Sequence, residues 1–221
     1  MEHADNPYSI RPYRRADRQA VRDICAATCW LGEYRPDVIG DDWLWAEYWT
    51  RYFTDCRRDY LWVATDRRGR VVGYLTGTPD VSEFNRYLPR LLPGVIARII
   101  RRRLISNPVS RRAIFSFVRS ALRGEARLPA AVRRECPAAW HFNLLPEARR
   151  RRLGSTMLAM FTDRLRQAGA GGLHAQVISC NAASIASCRR LGMRLVDTSP
   201  MTAFAHAIPQ PLELHTYVMA V

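Results

Sequence analysis

Residues 140–163, WHFNLLPEARRRRLGSTMLAMFTD, constrain this chain more than any other stretch, because a strand pattern and a helix pattern meet there across a basic turn. The run 140–145 is short and apolar-rich and is closed by Pro146, which has no N–H to give to a ladder, so it reads as a strand. From Leu153 onward, Leu153, Met157, Leu158, Phe161 and Leu165 fall on one helical face, turned toward a sheet. Residues 149–155 then sit at the start of that helix, where first-turn N–H groups lack intrahelical partners and the helix dipole is positive. A ligand carrying phosphates is favoured at such a place. Four arginines strengthen the field, and Gly154, lacking a side chain, would let a pyrophosphate approach the backbone. The competing reading is a basic helix start on a solvated face.

The rest of the chain supplies the other layers of a sheet protein. Residues 8–13 read as a first strand and 16–28 as a helix. Residues 60–65 and 71–76 form two β-rich runs joined by a short turn in which Gly69 supplies the unusual backbone angles, which makes a hairpin. Past the central helix come a glycine-rich turn at 168–172, a strand at 173–179, and a helix at 182–191 with Asn181 placed to cap it and Gly192 just past its end. Final strands are expected at 193–196 and 214–219. At 221 residues and 48% hydrophobic, the chain suits one domain over 1–221 with a real core.

Two stretches depart from this plan. Residues 31–60 hold Tyr34, Trp43, Trp45, Tyr48, Trp49, Tyr52 and Phe53, with seven acids against four arginines, a balance of 4 − 7 = −3 in a chain whose net charge is +14. Acids beside aromatic faces suit a cationic amine; an amphipathic helix with core aromatics and solvated acids is the reading preferred for most of them. Residues 80–136 carry helical patterns over 88–104 and 111–122 between Pro and Gly breakers, and read as a basic helical insertion. Between Arg98 and Arg152 there are 15 arginines against three acids. A packed helix pair with a solvated arginine face is preferred there to a membrane or nucleic-acid surface, and no specific nucleic-acid partner is expected.

Composition narrows the chemistry. All 34 basic residues are arginine, so no lysine can serve a Schiff base. The six cysteines form no CxxC pair and have no histidine at zinc spacing, so no metal is expected and the thiols should be reduced. No basic-then-apolar leader appears at residues 1–8 and no apolar run is long enough to span a bilayer, which leads us to expect a cytoplasmic protein without a transmembrane segment.

The turn at 149–154 resembles the acyl-CoA-binding motif of the GNAT superfamily of N-acetyltransferases, Gln/Arg-x-x-Gly-x-Gly/Ala. Arg149 matches its first position and Gly154 its last, while Arg152 stands where glycine is usual, which would alter one N–H of the cradle. A second segment, Asn181-Ala-Ala-Ser-Ile-Ala-Ser-Cys-Arg-Arg-Leu-Gly-Met193, is similar to the superfamily's Asn-x-x-Ala-x-x-x-Tyr-x-x-x-Gly-Phe ending, and the order of elements fits. The run His-x-Asn-Leu-Leu-Pro-Glu also resembles, more weakly, the acetyltransferase-like domain paired with O-GlcNAc hydrolases and its bacterial relatives. The resemblance implies an α/β fold built on a mixed, mostly antiparallel twisted sheet flanked by helices, with the insertion between the third and fourth strands. It implies acetyl-CoA as co-substrate and direct attack by an amine; the acidic, aromatic stretch 31–60 points to a primary amine recognised there, and a homodimer is left open.

By position in the motifs, Asn143, Leu144 and Leu145 would run along the pantetheine arm. Arg149, Arg150, Arg151, Arg152, Leu153, Gly154 and Ser155 would hold the pyrophosphate, with Asn181 and Ser184 beside them. The superfamily's tyrosine acid corresponds to Cys188, so Cys188, Tyr217 or solvent would protonate the thiolate. For the base, His141 titrates near neutral pH and shares a strand face with Asn143; Glu33 or Asp37, acting through water, is the competing choice. A binding protein of the same fold without turnover is the alternative function.

Overall fold

The computed structural model describes residues 7–221; the leader expectation for residues 1–8 falls largely outside them. In chain order the elements are β1 (Tyr8–Pro12), α1 (Arg18–Ala27), α2 (Pro36–Ile39), α3 (Asp42–Asp55), β2 (Leu61–Asp66) and β3 (Val71–Thr78). Next come α4 (Val81–Tyr87), α5 (Leu92–Arg101), α6 (Pro108–Arg123), α7 (Ala130–Glu135), β4 (Ala138–Leu144) and α8 (Leu153–Gln167). The chain closes with β5 (Gly172–Ile178), α9 (Ala182–Arg190), β6 (Arg194–Met201) and β7 (Leu212–Ala220). The strands make one sheet in the order β1-β2-β3-β4-β5-β7-β6. Every neighbouring pair is antiparallel except β4 and β5. That sheet is the mixed, mostly antiparallel one expected from the sequence.

Local chemistry explains the elements. The β2–β3 turn closes through Asp66, whose Oδ1 accepts from the N–H groups of Arg68 and Arg70, while Gly69 takes φ +78°. Asn181 caps α9 by accepting from the Ser184 N–H at 3.1 Å, and Gly192 ends it at φ +73°. The helix expected over 88–104 begins at Leu92 instead, because Pro93 is favoured in a first turn and not inside a helix.

Helices cover both sheet faces. On one, Leu153, Met157, Leu158, Phe161 and Leu165 of α8 are all buried against Trp62, Leu75, Leu173 and Tyr217. Gly77 of β3 makes that approach possible, since a Cβ there would lie 2.4 Å from the Phe161 ring. On the other face Val21, Ile24 and Cys25 of α1 and Ala46, Tyr52 and Phe53 of α3 pack on Leu61, Val63 and Tyr74. Of the helices between β3 and β4, α4 buries Phe84 and Tyr87, whereas α5 has no fully buried residue and α6 fully buries only Ser110, Ala113 and Ser120, less than the packed pair expected.

Candidate coenzyme and acceptor site

The parallel contact between β4 and β5 lasts only two residue pairs, Ala138 with Leu173 and Ala139 with His174. Beyond it, among the described residues, β4 has a partner on the β3 side alone. The Leu145 N–H bonds to the Val72 carbonyl at 2.9 Å, and in an antiparallel ladder backbone groups alternate in direction. His141 and Asn143 therefore turn their N–H and C=O groups to β3, and Phe142 and Leu144 turn theirs into the opening left by β5. Side chains alternate as well. Trp140 and Phe142 stack at 5.4 Å, 7° from parallel, on the α8 face, and His141 and Asn143 lie on the α1/α3 face.

The turn entering α8 is a concave run of amides. Arg150 and Arg152 both have φ +60°, and among the described residues nothing accepts from the backbone N–H groups of residues 150–155. Successive amides in such a conformation form an anion nest, here continued into a helix N-terminus. Arg150, Arg151 and Arg152 are exposed around it, and Leu153 is buried beneath. This donor set fits a pyrophosphate. Arg152 itself takes the left-handed backbone, which a glycine adopts freely, at a cost of about 1 kcal/mol.

Two other residues of this turn face the rest of the fold. A Cβ on Gly154 would meet the Phe142 ring at 3.2 Å, so its missing side chain also admits the strand beneath the turn. Arg149 donates from Nε to the Leu144 carbonyl at 3.1 Å and from Nη2 to the Gly32 carbonyl. Its guanidinium is thereby committed to fastening the turn to β4 and to the Trp30–Glu33 bridge, and is not a free phosphate ligand.

On the α1/α3 face, His141 lies beneath Trp49 of α3, with ring centroids 4.7 Å apart and planes 22° from parallel. Its Nδ1 is 3.4 Å from the Tyr74 hydroxyl, which also accepts from Asn143 Nδ2 at 3.1 Å and lies against the Cys25 thiol. Burial pushes Cys25 up to about 12 and Tyr74 well above its ordinary value, and it pushes His141 down to about 4. The cluster is therefore neutral, and His141 does not titrate near pH 7 as the sequence suggests. Tyr74 and Trp49 were not singled out from the sequence as partners of His141; the contact depends on strand register, which no local pattern reveals.

The proposed acids lie elsewhere. Cys188 of α9 and Tyr217 of β7 are each 3% exposed within the core cluster that α8 closes, and burial raises the Cys188 thiol. Asn181 and Ser184 are engaged in capping α9. Most acids of 31–60 are structural. Glu47 pairs with Arg22 at 2.7 Å in the interior, Asp55 with Arg18 at 3.0 Å, and Asp41 with Arg98 at 2.9 Å. These three arginines come from outside the stretch and cancel its balance of −3. Asp37 pairs with Arg35, Asp59 with Arg57, and Asp42 accepts from the Tyr34 hydroxyl. Glu33 alone of the seven has no side-chain partner among the described residues; it is exposed at the turn that Arg149 fastens.

The mixed, mostly antiparallel sheet, with a run of amides at the start of the helix that follows its fourth strand, is the arrangement that the resemblance to the GNAT superfamily implies. Residues 114–193 match the family model described as Acetyltransferase (GNAT) family. The fold is similar to that of a protein designated SsHAT, at 23% identity and TM-score 0.70 over 96% of this chain and 98% of that one. It is also similar to a GNAT superfamily phosphinothricin acetyltransferase from Sinorhizobium meliloti in complex with AcCoA, at 19% identity and TM-score 0.57 over 97% and 89%. A Drosophila melanogaster polyamine N-acetyltransferase that forms N-acetylagmatine matches at 16% identity and TM-score 0.58 over 97% and 100%. At these identities the likeness is one of fold.

Proposed function

We propose that the chain is an N-acetyltransferase that uses acetyl-CoA as co-substrate and acetylates a primary amine, working as a single domain with a basic helical insertion at about 80–136. The run of partnerless amides at 150–155, next to the open edge of β4, carries this reading. Acetyl-CoA would supply an activated thioester. The nest and Arg150, Arg151 and Arg152 would hold its pyrophosphate, and the Leu144 and Phe142 amides would align its arm and polarise the acyl carbonyl. The acceptor nitrogen forms the new bond to the acyl carbon as the carbon–sulfur bond breaks. The nitrogen's surplus proton passes to neutral His141, or to Glu33 through water, and the thiolate takes a proton from solvent, because Cys188 and Tyr217 lie in the core.

That burial of Cys188 and Tyr217 also favours a second reading, an acyl-CoA-binding protein without turnover. Calorimetry with acetyl-CoA, followed by thiol release with a panel of primary amines including agmatine, separates the two. Binding with release is expected. Binding without release would establish the second reading, and no binding would end both.

A further inference from the structure

Helices α5 and α6 pack Val95 and Phe117 inward but leave a second set of apolar residues in water. In α5, Leu92, Ile96 and Ile100 recur every four residues and are 55%, 54% and 71% exposed. On the inward face of α6, Phe117 packs against Trp45 and Phe204, Ser110 donates to the Gly40 carbonyl at 2.7 Å, and Ser120 donates to Glu125 at 2.7 Å. Phe115, Val118 and Leu122 point outward, 59%, 51% and 82% exposed. Between Leu88 and Gly124 the chain has nine arginines and no acid. Among the described residues, Arg101, Arg102, Arg103, Arg111, Arg112 and Arg119 make no ion pair. Apolar side chains left in water and arginines left without carboxylates call for one occupant that satisfies both.

We propose that α5 and α6 dock the protein on an anionic phospholipid surface. An interfacial helix buries its apolar face at the level of the headgroups while arginines extend to the phosphates. No helix among the described residues is long and apolar enough to cross a membrane, so the helices lie on the surface. Nucleic acid would meet the arginines but would leave the aliphatic side chains uncovered, and Phe115 alone is there to stack on a base. A second copy joined about a two-fold axis would set this patch against itself, arginine against arginine.

The test is flotation of the full chain with vesicles of phosphatidylcholine alone or mixed with phosphatidylglycerol, at low and raised salt. Binding to the mixed vesicles is expected, about tenfold weaker on neutral vesicles or in raised salt. The triple variant Ile96→Ser, Ile100→Ser, Leu122→Ser changes exposed residues; it should melt as the parent does and bind about tenfold more weakly. Failure to float with mixed vesicles overturns the proposal, as does flotation that the triple variant retains. A dimer on sizing that the triple variant breaks, or RNA binding without flotation, overturns it too and names the other occupant.

Discussion

The Trp49 indole lies over the His141 imidazole, 4.7 Å away and 22° from parallel, and so helps keep a titratable ring dry. Burial lowers the His141 pKa from 6.5 to about 4. Between those values the unfolded chain holds a proton that the folded one does not. Stability from this group is therefore complete above pH 6.5 and is lost as pH falls toward 4, by on the order of 3 kcal/mol. Urea melts across that range should show the parent losing stability faster than His141→Phe. Parallel losses would mean the ring titrates normally.

The same shift bears on catalysis. Because His141 is already neutral above pH 4, the rising limb of the rate profile should follow the acceptor's own pKa and move when the amine is changed. Replacing His141 by Ala should lower kcat about a hundredfold if it takes the amine's proton. An unchanged kcat, with the loss appearing in Glu33→Gln instead, would move the base to the exposed turn.

Acidic residues near the cleft should separate by role. Glu33→Gln should raise the acceptor KM and leave melting unchanged, whereas Glu47→Gln strands buried Arg22 and should cost about 3 kcal/mol or more of stability. An acceptor KM indifferent to Glu33 would place the amine's entrance elsewhere.

In the α8 turn, Arg152→Gly removes left-handed strain, so the variant should be as stable as the parent or more stable by up to about 1 kcal/mol. Gly154→Val should lose about 1–3 kcal/mol, because its side chain meets Phe142. A Gly154→Val protein that melts normally would show that Phe142 yields, and then its acetyl-CoA affinity would test the cradle directly.

How much was legible in the sequence follows from what each feature depends on. The five buried apolar positions of α8 were readable, since a helix face repeats over three or four residues, and so were the Asn181 cap and the Gly192 stop. Contacts across the fold were not. Asn143 meets Tyr74 from 69 residues away, through a register fixed only when β3 and β4 pair. The acids of 31–60 read as an excess of −3 in the sequence because their partners Arg18, Arg22 and Arg98 stand on other helices. Arg149 resembles a ligand contact in one dimension, and in three it fastens strand, turn and loop, while Gly154 also makes room for Phe142.

The two-pair contact between β4 and β5 makes the sheet a pair of leaves, four strands and three, joined along a short seam. A ligand arm lying in the gap would act as an extra strand, giving the Phe142 and Leu144 amides the rungs that β5 withholds. Occupancy would then be felt as rigidity. Those two amides should exchange with solvent more slowly when the gap is filled, and the leaves should come apart at a higher temperature as ligand concentration rises.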